Sequence, residues 1–160
     1  MNCVSAANTN TEVGRKNPAP GVLSQLGRPS IVLLTVTTKG RRPWLTNPTA
    51  HQLLRETWSA ATAWLVGDYL LMPDHLHLFY APRDLAFTIE QWITFWKRDF
   101  HRRHEHKEWL FQSRGRHHRL REDEDYSDKW RYVQENPVRK GLAKQIQEWP
   151  FKGIIHQLPW

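Results

Sequence analysis

Two histidines one residue apart, His75 and His77, lie in the run Leu71-Met72-Pro73-Asp74-His75-Leu76-His77-Leu78-Phe79-Tyr80-Ala81-Pro82. On an extended strand alternate side chains share a face, so the two imidazoles project together, about 7 Å apart along the strand, with Leu76 and Leu78 packed behind them. Neutral imidazoles placed this way can share a divalent metal ion. The chain holds nine histidines, and at that number chance supplies such a pair readily. The spacing fits two surface histidines on an amphipathic strand as well as it fits two ligands.

A second constellation lies more than fifty residues on, in Asp125-Tyr126-Ser127-Asp128-Lys129-Trp130-Arg131-Tyr132-Val133-Gln134-Glu135-Asn136-Pro137. At helical spacing, Tyr126, Trp130, Val133 and Pro137 form an apolar stripe that packs on a sheet. Asp125, Lys129, Tyr132 and Asn136 form another. Tyr132 and Asn136 are thus one turn apart on a face that packing does not need. A phenol beside a carboxamide suits a site better than a core, and it also reads as a half-exposed tyrosine with an asparagine helping to end the helix.

The elements that must position these groups follow from local pattern. Ile31 to Thr38 is β-branched and apolar, as in a central strand, and Lys39-Gly40-Arg41-Arg42-Pro43 breaks it. Asn47 caps a helix that has Pro48 at its first position and Leu53, Leu54, Thr57, Trp58 and Ala61 at helical spacing. Trp64 to Pro73 and His75 to Ala81 form an antiparallel hairpin around a short break. A second amphipathic helix carries Ile89, Trp92, Ile93, Trp96 and Phe100 on its apolar stripe. Residues 109–121 supply a fourth strand and a loop, and a third helix runs from Glu122 to Asn136, closed by Pro137 and Gly141. The order β-α-β-β-α-β is that of the α+β, ferredoxin-like split βαβ fold, an antiparallel sheet with helices on one face, here with an added C-terminal helix. That fold hosts many functions and decides none.

Composition narrows the partners. The 160 residues suffice for one domain, with residues 1–28 expected as a flexible tail and 29–160 as the folded unit. Lys and Arg number 23 against 16 acids, a net charge of +7, which favours a polyanion such as nucleic acid. The excess concentrates between Lys97 and Glu122, with nine Lys/Arg, four acids and five histidines. Cys3 is the single cysteine, so neither a disulfide framework nor a cysteine zinc site is open to the chain. With no run of about eighteen apolar residues and no signal pattern at the N-terminus, the protein is expected to be soluble, cytoplasmic and without a membrane partner. His101, His104 and His106 form a second histidine cluster, read as a solvated face rather than as the zinc site of a hydrolase. The nine tryptophans are read mainly as core anchors, with Trp96 and Trp109 also considered as platforms for unpaired bases.

The run Met72-Pro73-Asp74-His75-Leu76-His77, followed by Tyr132-Val133-Gln134-Glu135-Asn136-Pro137-Val138-Arg139-Lys140-Gly141, resembles the REP-associated tyrosine transposases. These are relatives of the single-tyrosine, His-hydrophobic-His transposases of small insertion sequences. Phe111-Gln112-Ser113-Arg114, His118-Arg119-Leu120-Arg121, Asp125-Tyr126 and Glu148-Trp149-Pro150-Phe151 fall in the same order and spacing, so the resemblance runs from about Ile31 to Phe151. One departure is Gly115-Arg116-His117, where many members carry large aromatic residues before the position of His118.

The resemblance implies that His75, His77 and Asn136 ligate a divalent metal ion, Mg²⁺ or Mn²⁺, and that Tyr132 is the catalytic nucleophile of a transposase and endonuclease. Tyr126 is the rival, but it belongs to the packing stripe, and the residue one turn on is Trp130, which binds no metal. It further implies cleavage and rejoining of single-stranded DNA with REP-like hairpins through a 5′-phosphotyrosine intermediate. Lys97, Arg98, Arg102, Arg119 and Arg121 are the expected phosphate contacts. Relatives act as monomers or as homodimers, and both states are compatible with the chain. The reading from another class is a domesticated nucleic-acid-binding protein that no longer cuts; the intact set of His75, His77, Tyr132 and Asn136 argues against it.

Overall fold

The computed structural model describes residues 31–120 and 125–158; the expected tail over 1–28 and the expected helix start at Glu122 lie outside them. The apolar run after Ile31 forms β1 (Val32–Thr38). The hairpin strands are β2 (Trp64–Leu71) and β3 (His75–Pro82), and the basic segment supplies β4 (Phe111–Arg119). With β5 (Lys152–Ile154) they make one sheet in the order β4-β1-β3-β2-β5, every neighbouring pair antiparallel. Its first four strands have the split βαβ order expected from the sequence. The fifth was not expected. Three residues carry no alternation to read, and β5 exists because the edge of β2 at Asp68–Leu70 is there to pair with. Gly153 suits that place, since a Cβ on it would lie 2.8 Å from both the Tyr69 hydroxyl and Arg55 Nη1.

Period-two alternation gives the sheet two apolar faces. Leu34, Val36, Leu76, Leu78 and Tyr80 face one way and are buried beneath two helices, α1 (Pro48–Ala60) and α2 (Ile89–Arg102). Asn47 begins α1 by accepting from Ala50 N at 2.9 Å through Oδ1. Thr88 and Gln91 form a reciprocal capping box at the start of α2. The expected stripe of α2, Ile89, Trp92, Ile93, Trp96 and Phe100, is buried throughout. Trp58, Trp92 and Trp96 are among the largest fully enclosed side chains, each contributing on the order of 3 kcal/mol by burial.

The other face carries Leu33, Leu70, Met72, Phe79 and Ala81, covered by α3 (Tyr126–Gln134) and by Trp149 and Leu158 from the C-terminal segment. The added helix therefore lies across the sheet from α1 and α2. Phe79 meets Tyr126 with ring centroids 4.4 Å apart and Trp130 at 6.0 Å. An irregularity between Val66 and Tyr69 in β2 turns Asp68 toward α3, where Oδ2 accepts the Tyr126 hydroxyl at 2.5 Å.

The third helix differs from its expected span. Asp125, inside the expected span, is extended and caps it, Oδ1 accepting from Ser127 N at 2.7 Å, so α3 begins at Tyr126. It ends at Gln134, and Pro137 does not close it. Proline fits the first turn of a helix, where its missing N–H leaves nothing unpaired, and here it helps to open α4 (Asn136–Arg139). Gly141, at φ 70°, does end the segment: Leu142 N reaches Pro137 O at 2.8 Å and Gly141 N reaches Val138 O at 3.0 Å, a Schellman closure.

Tyr126→Phe removes the hydroxyl that Asp68 depends on. Burial pushes the Asp68 carboxyl up and the Tyr126 hydrogen bond holds it down, so the variant loses about 1–2 kcal/mol of unfolding free energy in urea. The loss is larger near about pH 7, with Asp68 ionised, than near about pH 4. An equal loss at both would show that Asp68 is not the partner that matters.

Candidate active site

On β3 the residues 75, 77, 79 and 81 point to the α3 face, so the sheet itself carries the two imidazoles. Their ring centroids are 5.0 Å apart and nearly perpendicular, at 86°. Each Nδ1 has a partner. His75 Nδ1 lies 2.7 Å from Asp74 Oδ1, and Asp74 Oδ2 accepts from Arg41 Nη1 at 2.8 Å. His77 Nδ1 lies 2.9 Å from Thr35 Oγ1, and Thr35 is its direct partner across β1. With hydrogens on both Nδ1 atoms, both Nε2 lone pairs are left for a ligand, as in histidine metal sites oriented by carboxylate or hydroxyl neighbours.

The supports are themselves held. Thr38 N and Thr38 Oγ1 both donate to Asp74 O, at 2.9 and 3.0 Å. Arg41 takes a left-handed backbone, φ 53°, at a cost of order 1 kcal/mol, in the turn from which its side chain reaches Asp74. Burial raises the Asp74 carboxyl, but the hydrogen bonds from His75 and Arg41 and their charges hold it below its ordinary value. Burial, then the charges of His75 and Arg139, push His77 down to about 3. At neutral pH His77 is therefore the uncharged imidazole that a metal ion requires.

Tyr132 and Asn136 lie at the α3–α4 junction. Tyr132 is 62 % exposed, an unusual fraction for an aromatic side chain beside a packed stripe. Asn136 opens α4 one turn later. Arg139 joins the two: its Nη2 is 2.7 Å from Asn136 Oδ1 and 2.9 Å from Tyr132 O, and its guanidinium carbon sits 4.3 Å from the Tyr132 ring centroid. Because the same guanidinium acts on His77, the α3–α4 junction and the β3 histidines share one neighbourhood. Tyr126, the rival nucleophile, is buried at 6 % exposure.

Among the described residues no three His, Cys, Asp or Glu side chains converge on a metal position. A metal ion held by the imidazole pair would need a third donor of another kind, and the carboxamide oxygen of Asn136 is of the right chemistry; two imidazoles and an amide oxygen would accept divalent ions with little selectivity. The second histidine cluster does not make a site either. His104 packs against Phe100 and Trp109 at 4.7 and 5.1 Å, with both ring nitrogens enclosed and no hydrogen-bond partner. Trp96 and Trp109 are buried and serve the core.

The expected phosphate contacts are scattered. Lys97 Nζ donates to Gln112 O at 2.7 Å, and burial lowers it to about 8, so its ammonium braces α2 against β4. Arg98 and Arg102 are exposed on α2, on the sheet face away from the histidines. Arg119 pairs with Val32, whose side chain belongs to that same α1 and α2 face, and Arg121 lies outside the described residues. Arg116 was passed over in the sequence. It is exposed on β4 opposite Thr35, which is opposite His77, and so lies on the site's own face about 10 Å from His77. Alternation along β4 hints at this, but the strand register is needed to reveal it. Thr35, Arg41 and Arg139 carried no signal of spacing to the histidines.

No family model matches the chain, and no curated protein matches it. Among solved structures it is similar to a REP-associated tyrosine transposase bound to a REP hairpin, with 24% sequence identity and a TM-score of 0.65 over 77% of this chain and 75% of that one. The likeness establishes a shared fold. No helix among the described residues is long and apolar enough to cross a membrane.

His77 makes stability depend on pH in a defined direction. Its folded pKa is depressed below the ordinary value of 6.5 to about 3, so between these values the unfolded chain binds the extra proton. Stability from this group is complete above about pH 6.5 and falls as the pH drops, by at most about 1.4 kcal/mol per unit. Urea titrations between about pH 7 and 5 are expected to show a shallower slope for His77→Phe than for wild type. Equal slopes would refute the burial of a neutral imidazole.

Proposed function

We propose that this chain is a metal-dependent, single-tyrosine endonuclease and strand transferase that acts on single-stranded DNA bearing REP-like hairpins. The observation that carries the reading is the exposed Tyr132, one turn from Asn136 and in the neighbourhood of two imidazoles whose Nδ1 atoms are already occupied by Thr35 and Asp74. The shared fold with a transposase bound to a REP hairpin supports it, as does the net charge of +7.

His75 and His77 through Nε2, and Asn136 through Oδ1, are the residues that would hold Mg²⁺ or Mn²⁺, which supplies Lewis-acid stabilisation of the charge that develops on a scissile phosphate. Thr35, Asp74 and Arg41 keep the two imidazoles oriented, so their geometry need not be reorganised during the reaction. Tyr132 is the nucleophile. Its hydroxyl oxygen attacks the phosphorus, the P–O bond to the 3′ oxygen breaks, the tyrosine proton leaves to solvent, and the departing 3′ oxygen takes a proton from solvent. The 5′ phosphate is then esterified to Tyr132 and the released strand ends in a 3′ hydroxyl. Attack of a 3′ hydroxyl on that ester reverses the exchange, restores a DNA phosphodiester and frees Tyr132, with no external energy source because one ester replaces another. Arg116, on the site's own face, is placed to follow the backbone toward the nucleophile.

Hairpin oligonucleotides with single-stranded flanks, incubated with the protein and Mn²⁺ or Mg²⁺, are expected to yield a covalent protein–DNA adduct on a denaturing gel. Tyr132→Phe should abolish it, and His77→Ala should reduce it by at least about 100-fold. Wild type that binds such oligonucleotides across a broad panel without forming an adduct would instead be a non-cleaving binding protein. An adduct formed equally by Tyr132→Phe would remove Tyr132 from its role.

A further inference from the structure

Tyr132, Asn136 and Arg139 recur at steps of four and three, one face of the α3–α4 junction. Arg139 touches both others by three different kinds of contact. Its Nη2 donates to Asn136 Oδ1 and to the backbone oxygen of Tyr132, and its guanidinium carbon lies over the Tyr132 ring, 4.3 Å from the centroid. Glu135 Oε2, 3.0 Å from Nη1, anchors the far side of the fork.

We infer that Arg139 is a positioning residue for strand cleavage, holding the ring of Tyr132 and the carboxamide of Asn136 in one arrangement. The inference rests on the function proposed above. Its physical basis is the donor-only character of the guanidinium. An asparagine side chain has an oxygen at one end and an NH₂ at the other, and the two ends differ little in shape. Only the oxygen accepts a hydrogen bond from arginine, so Arg139 selects one of the two carboxamide orientations. The oxygen has a second lone pair, which the contact with Arg139 leaves available to a cation. The same fork restrains Tyr132, whose exposed ring has little other packing to choose its rotamer.

A simpler role, capping the end of α3, explains one of these contacts. Arginine near a helix C-terminus commonly satisfies a terminal carbonyl, and the bond to Tyr132 O does so. Capping calls for no contact with the Asn136 side chain and no stacking on a ring. Nor does it call for a planar fork, since a lysine ammonium reaches a lone carbonyl equally well. The three contacts together require the guanidinium.

Two readouts separate positioning from capping: Mn²⁺ affinity of the DNA-free protein by titration calorimetry, and the rate of adduct formation at saturating Mn²⁺. Arg139→Ala is expected to weaken Mn²⁺ binding about 10-fold and to slow adduct formation by about 10- to 100-fold. Arg139→Lys should rescue neither. In Asn136→Ala the further change of Arg139 to alanine should leave Mn²⁺ affinity unchanged, because the group it orients is gone. If Arg139→Ala lowers only the melting temperature, keeping wild-type Mn²⁺ affinity and saturated rate, Arg139 is a cap and the inference is overturned. Tighter Mn²⁺ binding in Arg139→Ala overturns it too, since the guanidinium would then be competing with the cation. Wild type that forms no adduct at all overturns the proposed function itself, and this inference with it.

Discussion

The antiparallel pairing of β1 with β3 is the constraint on which the rest depends. Its register sets Thr35 opposite His77 and Val36 opposite Leu76, so one ladder defines a face that carries the histidine pair and a purely apolar one at the same time. A slip of one residue would turn both imidazoles into the core beneath α1 and α2 and bring Leu76 and Leu78 out to the site. The apolar face prevents that slip. Leu34, Val36, Leu76, Leu78 and Tyr80 are buried against the tryptophan-rich helices, and the cost of exposing them is far greater than any preference the histidines have. The site is thus held in register by the packing on the reverse side of the sheet.

The second face carries two jobs along one surface. At Phe79 and Ala81 it is an ordinary core, closed by Tyr126, Val133 and Trp149. At His75 and His77 it opens. The boundary follows the stripe of α3: Tyr126 and Val133 turn inward, and Tyr132, between the buried positions, turns out. Trp149 reinforces this layer by donating from Nε1 to Leu71 O at 2.8 Å, tying the C-terminal segment to the end of β2. One helix can therefore be anchored by its apolar stripe while it presents Tyr132 from the neighbouring stripe, because the two are offset by about a third of a turn.

Charge is organised by layers of support. His77 stays neutral because it is enclosed and has positive neighbours, while Asp74 stays ionised because His75 and Arg41 surround it. Arg139 adds a permanent positive charge that acts on His77 and has Glu135 as its counterion. The exposed cations divide between the two sides of the sheet, Arg98 and Arg102 on α2 and Arg116 on the histidines' face of the edge strand. A long polyanion that crosses the β4 edge would meet both sets, whereas a small anion would meet one.

Much was readable before folding because it is local. The apolar run 31–38, the strand pattern of 75–81, the Asn47-Pro48 start and the stripe of α2 all depend on residues a few positions apart, and these elements stand where their patterns put them, while the third helix keeps its offset faces over a shorter span. So does the grouping of His75 with His77 and of Tyr132 with Asn136, since a strand or helix period alone dictates it. What tertiary structure decided was everything that joins separate elements: which strand lies opposite His77, that Lys97 faces the carbonyls of β4, that Arg116 shares the histidines' face, and that a three-residue β5 closes the edge of β2. Local periods fix direction along one element, but register and partnership come from burying two faces at once, and no single segment contains that information.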